Sequence, residues 1–373
     1  MPVMNTVKFE TQAILQTERQ MSRVAFSADG RWLYAAGRDG LIHRWDLALP
    51  PEAEATKPSA AAAEVGGPRH VESATLAGHD GWVACIAMHP REPRAYSCDT
   101  WGRLAAWGID TEPPVVVWKH DHAHTGWIRQ VAVSPQGDRI ATCGTDRAIR
   151  IWSAGDGRLE REWLASPEDV FAVAFHPAGG VLLSGDLKGV VRHWNIADGA
   201  MIGESDARSF YLMSQIQDVG GVRAIGFAPD GKSFAVAGAE PAGGGFVEAV
   251  PVLKIFDTTS RAETQSLKLG EKTEGFVHDV AFHPDGFWVG VTSGQPGRGG
   301  VFVQRPGEPE PLLRLPLPNC HSVAVAADGR RISVLANAGL FGQRKSMARE
   351  GVYPGNTSPI HLFEIRQAAT EAG

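Results

Sequence analysis

The amino-acid sequence predicts an all-β fold, a seven-bladed β-propeller whose blades are four-stranded antiparallel sheets. The first observation is a repeated phrase, in which an alternating apolar strand ends at Pro or Ala and a turn usually rich in Gly follows. This phrase occurs seven times, with its Pro or Ala at positions 28, 90, 135, 177, 229, 284 and 327. The second observation is the spacing of the copies, which are 42 to 62 residues apart. A four-stranded propeller blade takes ~40–45 residues, and the longer intervals contain insertions.

Composition supports a globular chain with many tight turns. The 373 residues include 43 Gly and 24 Pro, above the usual share but below that of low-complexity disorder. Lys and Arg (36) are outnumbered by Asp and Glu (42), so we expect no nucleic-acid partner. The start lacks a signal-peptide pattern and no run of 18 apolar residues occurs, so we expect a cytoplasmic protein without membrane contact.

Within each copy, period-2 alternation predicts a half-buried first strand, a turn that usually contains Gly leads into a second strand, and a third strand ends in an apolar, usually aromatic residue. The third strands end at Trp45, Trp107, Trp152, Trp194, Phe256, Val303 and Phe363. Weaker fourth strands are predicted at 71–76, 114–119, 157–163, 262–269 and 310–315. No amphipathic helix is predicted.

The ring needs an outer strand for its last blade, because an open blade would leave an exposed sheet edge. Residues 7–15 precede the first copy and alternate as a strand does. We therefore predict that they pair with residues 360–365 and close the ring. Residues 1–373 then form one domain, with a disordered tail at 366–373.

Three insertions are candidates for function, since loops rather than blades usually carry it. Residues 48–70 are rich in Ala and Pro and are predicted to be a flexible linker. Residues 239–251 and 342–359 lie between second and third strands, on the face where the first strands begin, here called the top face. The latter contains Arg344, Lys345 and Tyr353, which suit either partner contact or a solvated loop.

The pairs Gly78-His79 and Trp45-Asp46, placed around the hairpin phrase, resemble the WD40 repeat family of β-propellers. The resemblance spans roughly residues 7–366. It implies a buried hydrogen-bonded tetrad of His, Ser or Thr, Asp and Trp, which the third copy keeps complete as His124, Thr142, Asp146 and Trp152. Other copies keep parts of it: His79, Ser97 and Trp107 in the second, Asp39 and Trp45 in the first, and Ser184 and Trp194 in the fourth.

Several patterns that resemble nucleotide-binding or metal-binding motifs have structural explanations. Residues 226–233 match the phosphate-binding GxxxxGK[ST] loop, but a strand rather than a helix is predicted to follow, so no nucleotide site is expected. His120, His122 and His124 alternate and suit either a metal site or a solvated loop, of which we favour the second. The four cysteines form no CxxC motif and are expected inside the core.

When the copies are aligned on their Pro or Ala, the residues six and eight positions upstream lie where the first strands begin near the central channel, on the top face. These positions are rich in aromatic, Arg and His residues, the composition of interface anchors. Eight of them are predicted to bind a partner: Trp82, Trp127, Arg129, Phe171, Arg223, Phe276, His278 and His321. For Trp82 and Trp127, packing as wedges between blades is an equally good explanation.

The resemblance implies a non-enzymatic scaffold that presents its top face to a protein or peptide. We predict no catalytic residue, no cofactor and no metal site. The alternative is a propeller enzyme, a metal- or quinone-dependent hydrolase, lactonase or oxidoreductase, with His278, His321 and Asp169 over the central channel. Stoichiometric bound metal would favour that alternative.

Overall fold

The computed structural model describes residues 7–17, 19–49, 70, 72–214, 217–242, 248–337 and 357–367. Within them, seven four-stranded antiparallel sheets form the blades. The first strand of each blade contacts the first strands of both neighbouring blades, so these seven strands surround a central channel. The predicted all-β, seven-bladed propeller is confirmed.

The strands follow one another blade by blade after an opening strand, β1 (Val7–Leu15). Blade one contains β2 (Met21–Phe26), β3 (Trp32–Gly37), β4 (Leu41–Asp46) and β5 (Glu72–Ala77). Blade two contains β6 (Val83–Met88), β7 (Arg94–Asp99), β8 (Leu104–Gly108) and β9 (Val115–His120). Blade three contains β10 (Ile128–Val133), β11 (Arg139–Gly144), β12 (Ala148–Ser153) and β13 (Leu159–Leu164).

Blade four contains β14 (Val170–Phe175), β15 (Val181–Asp186), β16 (Val190–Asn195) and β17 (Met201–Asp206). A 3₁₀ turn (Arg208–Phe210) and a separate hairpin, β18 (Tyr211–Ser214) and β19 (Gln217–Gly220), follow. Blade five contains β20 (Ala224–Phe227), β21 (Ser233–Pro241), β22 (Ala249–Asp257) and β23 (Glu263–Lys268). Blade six contains β24 (Phe276–His283), β25 (Phe287–Ser293), β26 (Gly299–Gln304) and β27 (Leu313–Pro316). Blade seven contains β28 (Cys320–Val325), β29 (Arg331–Ala336) and β30 (Ile360–Gln367), with β1 as its outer strand.

The ring closes as predicted. Strand β1 pairs antiparallel with β30, from Val7 opposite Gln367 to Leu15 opposite Ile360. The boundary of the predicted tail needs a correction, because Arg366 and Gln367 are ladder residues of β30 rather than tail. Residues 368–373 lie outside the described residues.

Of the three predicted insertions, one is corrected by the structure and two remain predictions. The segment 239–251 is not a simple loop, since β21 and β22 extend their pairing through Ala239 opposite Pro251 to Pro241 opposite Ala249. The hairpin of β18 and β19 was not predicted. Most of 48–70 and 342–359 lies outside the described residues, and their expected behaviour stays a prediction.

The core lies between the blades, where the inner faces of neighbouring sheets meet. The third-strand residues Trp45, Trp107 and Phe256 are almost fully buried there. All four cysteines are buried and free, as expected for small core residues. The segment 226–233 runs from β20 through a turn into β21, so a strand follows the glycine-lysine pair. No helix in the described part of the chain is long and apolar enough to span a membrane.

Candidate interaction surface on the top face

A β-bulge at the start of six first strands positions the residue that lies six before each Pro or Ala. The pairing register shifts there around Ser22, Ala84, Arg129, Phe171, His278 and His321. A bulge leaves one residue out of the ladder and re-aims its side chain. Where the bulged residue is large, its side chain contacts that of the next blade, as for Arg129 with Phe171 and His278 with His321.

The run of contacts begins at blades two and three. The rings of Trp82 and Trp127 have centroids 6.4 Å apart. The guanidinium carbon of Arg129 lies 4.5 Å from the ring centroid of Trp127 and 4.9 Å from that of Phe171. Arg129 is thus placed between two aromatic rings, an arrangement that favours a cation.

The same pattern continues through blades four to seven. The Arg223 guanidinium carbon is 5.1 Å from the ring centroid of Phe171 and 4.7 Å from that of Phe276. Ring centroids are 5.9 Å apart for Phe276 and His278, and 5.0 Å apart for His278 and His321. The structure therefore brings the eight sequence-selected residues into one continuous run around the channel opening, here called the mouth ring: Trp82, Trp127, Arg129, Phe171, Arg223, Phe276, His278 and His321.

Blade one contributes Arg38, which sequence analysis missed. Its guanidinium carbon lies 5.3 Å from the ring centroid of Trp82, and it donates a 2.7 Å hydrogen bond to the Gln20 side chain. Burial, followed by the nearby charge of Arg38, lowers the pKa of His321 to about 4. Arg38 therefore sits near both ends of the mouth ring. It lies in the turn between β3 and β4, outside the positions that the alignment sampled.

The mouth ring carries positive charge that is poorly compensated. Arg129 has one carboxylate nearby, with 3.5 Å between its Nη2 and Asp169 Oδ2. Burial, with a further contribution from Arg129, lowers the pKa of Arg223 to about 10, so the group remains a cation at neutral pH. Burial also holds the pKa of His278 well below its ordinary value. The two imidazoles are therefore neutral at pH 7 while the guanidinium groups are charged.

Three tryptophans expose large apolar areas on this face. The exposed fraction is 48% for Trp82, 39% for Trp127 and 61% for Trp101. Trp101 lies in the turn between β7 and β8, and its ring packs against Gly81. It was also missed, because its turn lies away from the first strand. Exposed tryptophans of this size are typical of interaction surfaces.

The hairpin of β18 and β19 stands between blades four and five. Phe210, just before it, is fully buried in the core between blades four and five, and any side chain at Gly238 would collide with its ring. In the hairpin itself, Leu212 and Met213 are 38% and 65% exposed. A buried anchor therefore holds a short element whose apolar side chains face solvent.

The blade-three tetrad holds the loop that carries Trp127. His124 Nδ1 lies 2.9 Å from Asp146 Oδ1, and its Nε2 lies 2.7 Å from the Thr142 hydroxyl oxygen. Trp152 Nε1 donates to the same hydroxyl at 2.9 Å. Burial lowers the pKa of His124. Burial alone would raise the pKa of Asp146, but hydrogen bonds led by that from His124 hold it below its ordinary value.

Blade two forms an equivalent network around the loop that carries Trp82. His79 bonds Asp99 at 3.0 Å and Ser97 at 2.6 Å, and Trp107 donates to Ser97 at 2.7 Å. Asp99 was missed because it ends β7, two residues before the position equivalent to Asp146. Blade four has a related pair of contacts, in which Trp194 donates to Ser184 and Ser166 donates to Asp186, each at 2.8 Å.

The other candidate groups are dispersed. His120 donates to the Gly157 carbonyl at 2.7 Å, and its ring centroid lies 5.0 Å from that of Trp152. His124 belongs to its tetrad, and His122 is exposed. Asp169 lies beside Arg129, on the side of the mouth ring away from the two imidazoles. In the described ranges, no group of three or more His, Cys, Asp and Glu side chains is arranged to hold a metal ion.

A comparison with known families bears on these networks. The model of the WD domain, G-beta repeat matches residues 12–46, 71–107, 116–153 and 157–195. Each matched segment begins in the outer strand of one blade and ends in the third strand of the next, from β1 of blade seven to β16 of blade four. Blades two to four contain the His, Ser or Thr, Asp and Trp contacts described above. Blades five to seven continue the same four-stranded pattern and complete the ring with β1. The chain belongs to the WD40 repeat family.

Proposed function

We propose that this protein is a non-enzymatic WD40 scaffold that binds a protein or peptide partner on its top face. The observation that carries the proposal is the continuous mouth ring, in which the side chains of Trp82 and Trp127 are exposed, together with the exposed Trp101 beside it. Binding energy at interfaces concentrates in Trp, Tyr and Arg residues, and this surface joins Trp and Arg in direct contact.

The contacts within the surface also lower the entropic cost of binding. Arg129 and Arg223 are each held between two rings, so fewer rotamers are lost when a partner docks. The networks of His79 and His124 fix the loops before Trp82 and Trp127. A surface that is ordered before the partner arrives supports tighter binding than a mobile one of the same composition.

The test is affinity purification from the native source with three baits. These are the wild type, the double variant Trp82→Ala/Trp127→Ala, and Met201→Ala as a matched control that removes a 52% exposed side chain from the outer strand of blade four. We expect a partner to co-purify with the wild type and the control and to be lost from the double variant. Retention of the partner by a folded double variant would overturn the proposed surface.

A further inference from the structure

Each of the two central guanidinium groups of the mouth ring lies close to two aromatic rings and has a buried Nε without a hydrogen-bond partner among the described residues. Phe171 lies close to both groups, Trp127 lies close to Arg129, and Phe276 lies close to Arg223. A guanidinium that lies beside aromatic rings still presents its N–H groups in the plane of the fork. That plane is the direction from which a carboxylate binds two N–H groups at once.

The N–H edges of these groups lack the partners that buried donors normally have. Arg223 has no side-chain hydrogen bond or ion pair among the described residues, and its Nε is buried and unsatisfied. The Nε of Arg129 is also buried and unsatisfied, and its one ion pair, with Asp169, is long at 3.5 Å. An unpaired buried donor costs stability that a bound acceptor would restore.

We propose that the mouth ring binds a side-chain carboxylate, from an Asp or Glu in an acidic segment of a protein partner, through the N–H edges of Arg129 and Arg223. This inference rests on the proposed function and names the chemistry of its partner. Beside Arg129, Trp127 and Trp82 offer exposed apolar faces. The fitting segment therefore carries an apolar side chain next to its acidic one.

Local charge favours a carboxylate over a phosphate. Asp169 compensates one of the two guanidinium charges, which leaves a single positive charge to be matched. The imidazoles of His278 and His321 are neutral at pH 7 and add none. Arg38 keeps its charge, since Gln20 is neutral, but it lies beyond Trp82 and outside the pair of guanidinium groups that the carboxylate contacts. A monoanion matches the remaining charge, whereas a dianion leaves an excess.

The test observes arginine side-chain Nε–Hε signals by NMR during titration with small probes. The probes are the N-acetyl, C-amide derivatives of glutamate, glutamine and phosphoserine. We expect the glutamate derivative to shift the Arg129 and Arg223 signals and to bind at least about tenfold more tightly than the uncharged glutamine derivative, since a tenfold difference corresponds to ~1.4 kcal/mol. Equal shifts with glutamine, no shift, or tighter binding of phosphoserine would overturn the inference.

Variants separate this inference from the proposed function. Arg223→Gln should lose glutamate binding, whereas Arg158→Gln, a matched charge removal in the exposed turn between β12 and β13, should not. The probe comparison in the wild type stands even if Arg223→Gln folds poorly. If Arg223→Gln folds and holds the partner as the wild type does while Trp82→Ala/Trp127→Ala loses it, the carboxylate inference fails and the interaction surface stands. If Arg223→Gln and Trp82→Ala/Trp127→Ala both retain the partner, the carboxylate inference and the proposed interaction surface both fail.

Discussion

Phe9 on β1 packs against Phe363 on β30, with 5.5 Å between their ring centroids, although almost the whole chain lies between them. The same joint buries Val7 and Leu15 of β1 almost completely. Both ends of the described chain therefore contribute to the same two hydrophobic clusters, one between blades six and seven and one between blades seven and one. The propeller is a closed ring because of these contacts.

Deleting residues 1–16 should strongly destabilise the protein. The deletion exposes the edge of β30 and removes buried side chains worth about 1.5–3 kcal/mol each, so we expect a loss of about 4 kcal/mol or more and reduced solubility. Thermal and urea unfolding measure the effect. Lys8→Ala, an exposed change on the same strand, is the control and should stay within ~0.5 kcal/mol. Unchanged unfolding of the deletion variant would contradict the closure by β1.

Thr142→Val should destabilise blade three while preserving its shape. The substitution leaves His124 Nε2 and Trp152 Nε1 buried without their shared hydroxyl, at an expected cost of about 1–3 kcal/mol. Thr111→Val, at an exposed site, is the matched control. Urea denaturation of both variants gives the comparison. Equal stability of the two would show that the tetrad contributes nothing to blade three.

Trp127→Ala and Arg129→Ala should each weaken partner binding by about 2 kcal/mol or more, because both side chains lie in the mouth ring. Isothermal titration calorimetry with the purified partner measures the loss, and Met201→Ala serves as the control. Thermal unfolding is followed in parallel. If both variants stay folded and bind normally, the mouth ring is not the interface; if stability falls together with binding, the two residues act as wedges between blades.

His43 should make stability depend on pH between about 6.5 and 9. Burial opposes its charged form, but hydrogen bonds to Asp39 and Glu72 raise its pKa to about 9. A raised folded-state pKa gives stabilisation that is complete below the unfolded value, near 6.5, and is lost as pH rises through the folded value. We expect His43→Gln to cost about 2 kcal/mol at pH 6 after allowance for partial solvent screening, and much less at pH 10. Urea unfolding at both pH values gives the result, and an equal cost at both would contradict it.

The blades could be predicted because each repeat combines alternation, a turn and an apolar third strand, three local signals that agree. The hairpin of β18 and β19 could not, because the sequence between Ser214 and Gln217 lacks the Gly, Asn, Asp or Pro that usually mark a turn. Its position is set by Phe210, whose burial depends on the later Gly238. Tertiary packing decided that element.

The residues of the mouth ring could be predicted from the sequence because a bulge recurs at one position of the first strands. A fixed offset from the Pro or Ala therefore selects equivalent positions in each blade. Arg38 and Trp101 approach the same surface from turns, where no offset from the first strand applies. Asp99 was missed for a related reason. Its carboxylate reaches His79 from the end of a strand, whereas Asp146 reaches His124 from the turn.

The pairing of β1 with β30 also sets an order of events during synthesis. Strand β1 leaves the ribosome before β30 has been translated, and at ~5–20 residues per second the delay is on the order of tens of seconds. During that interval the apolar side chains of β1 have no sheet to join. The ring is completed by a contact of very high sequence separation. Such contacts slow folding and prolong the lifetime of aggregation-prone intermediates. Until β30 emerges, β1 is an unpaired strand with which other chains can pair.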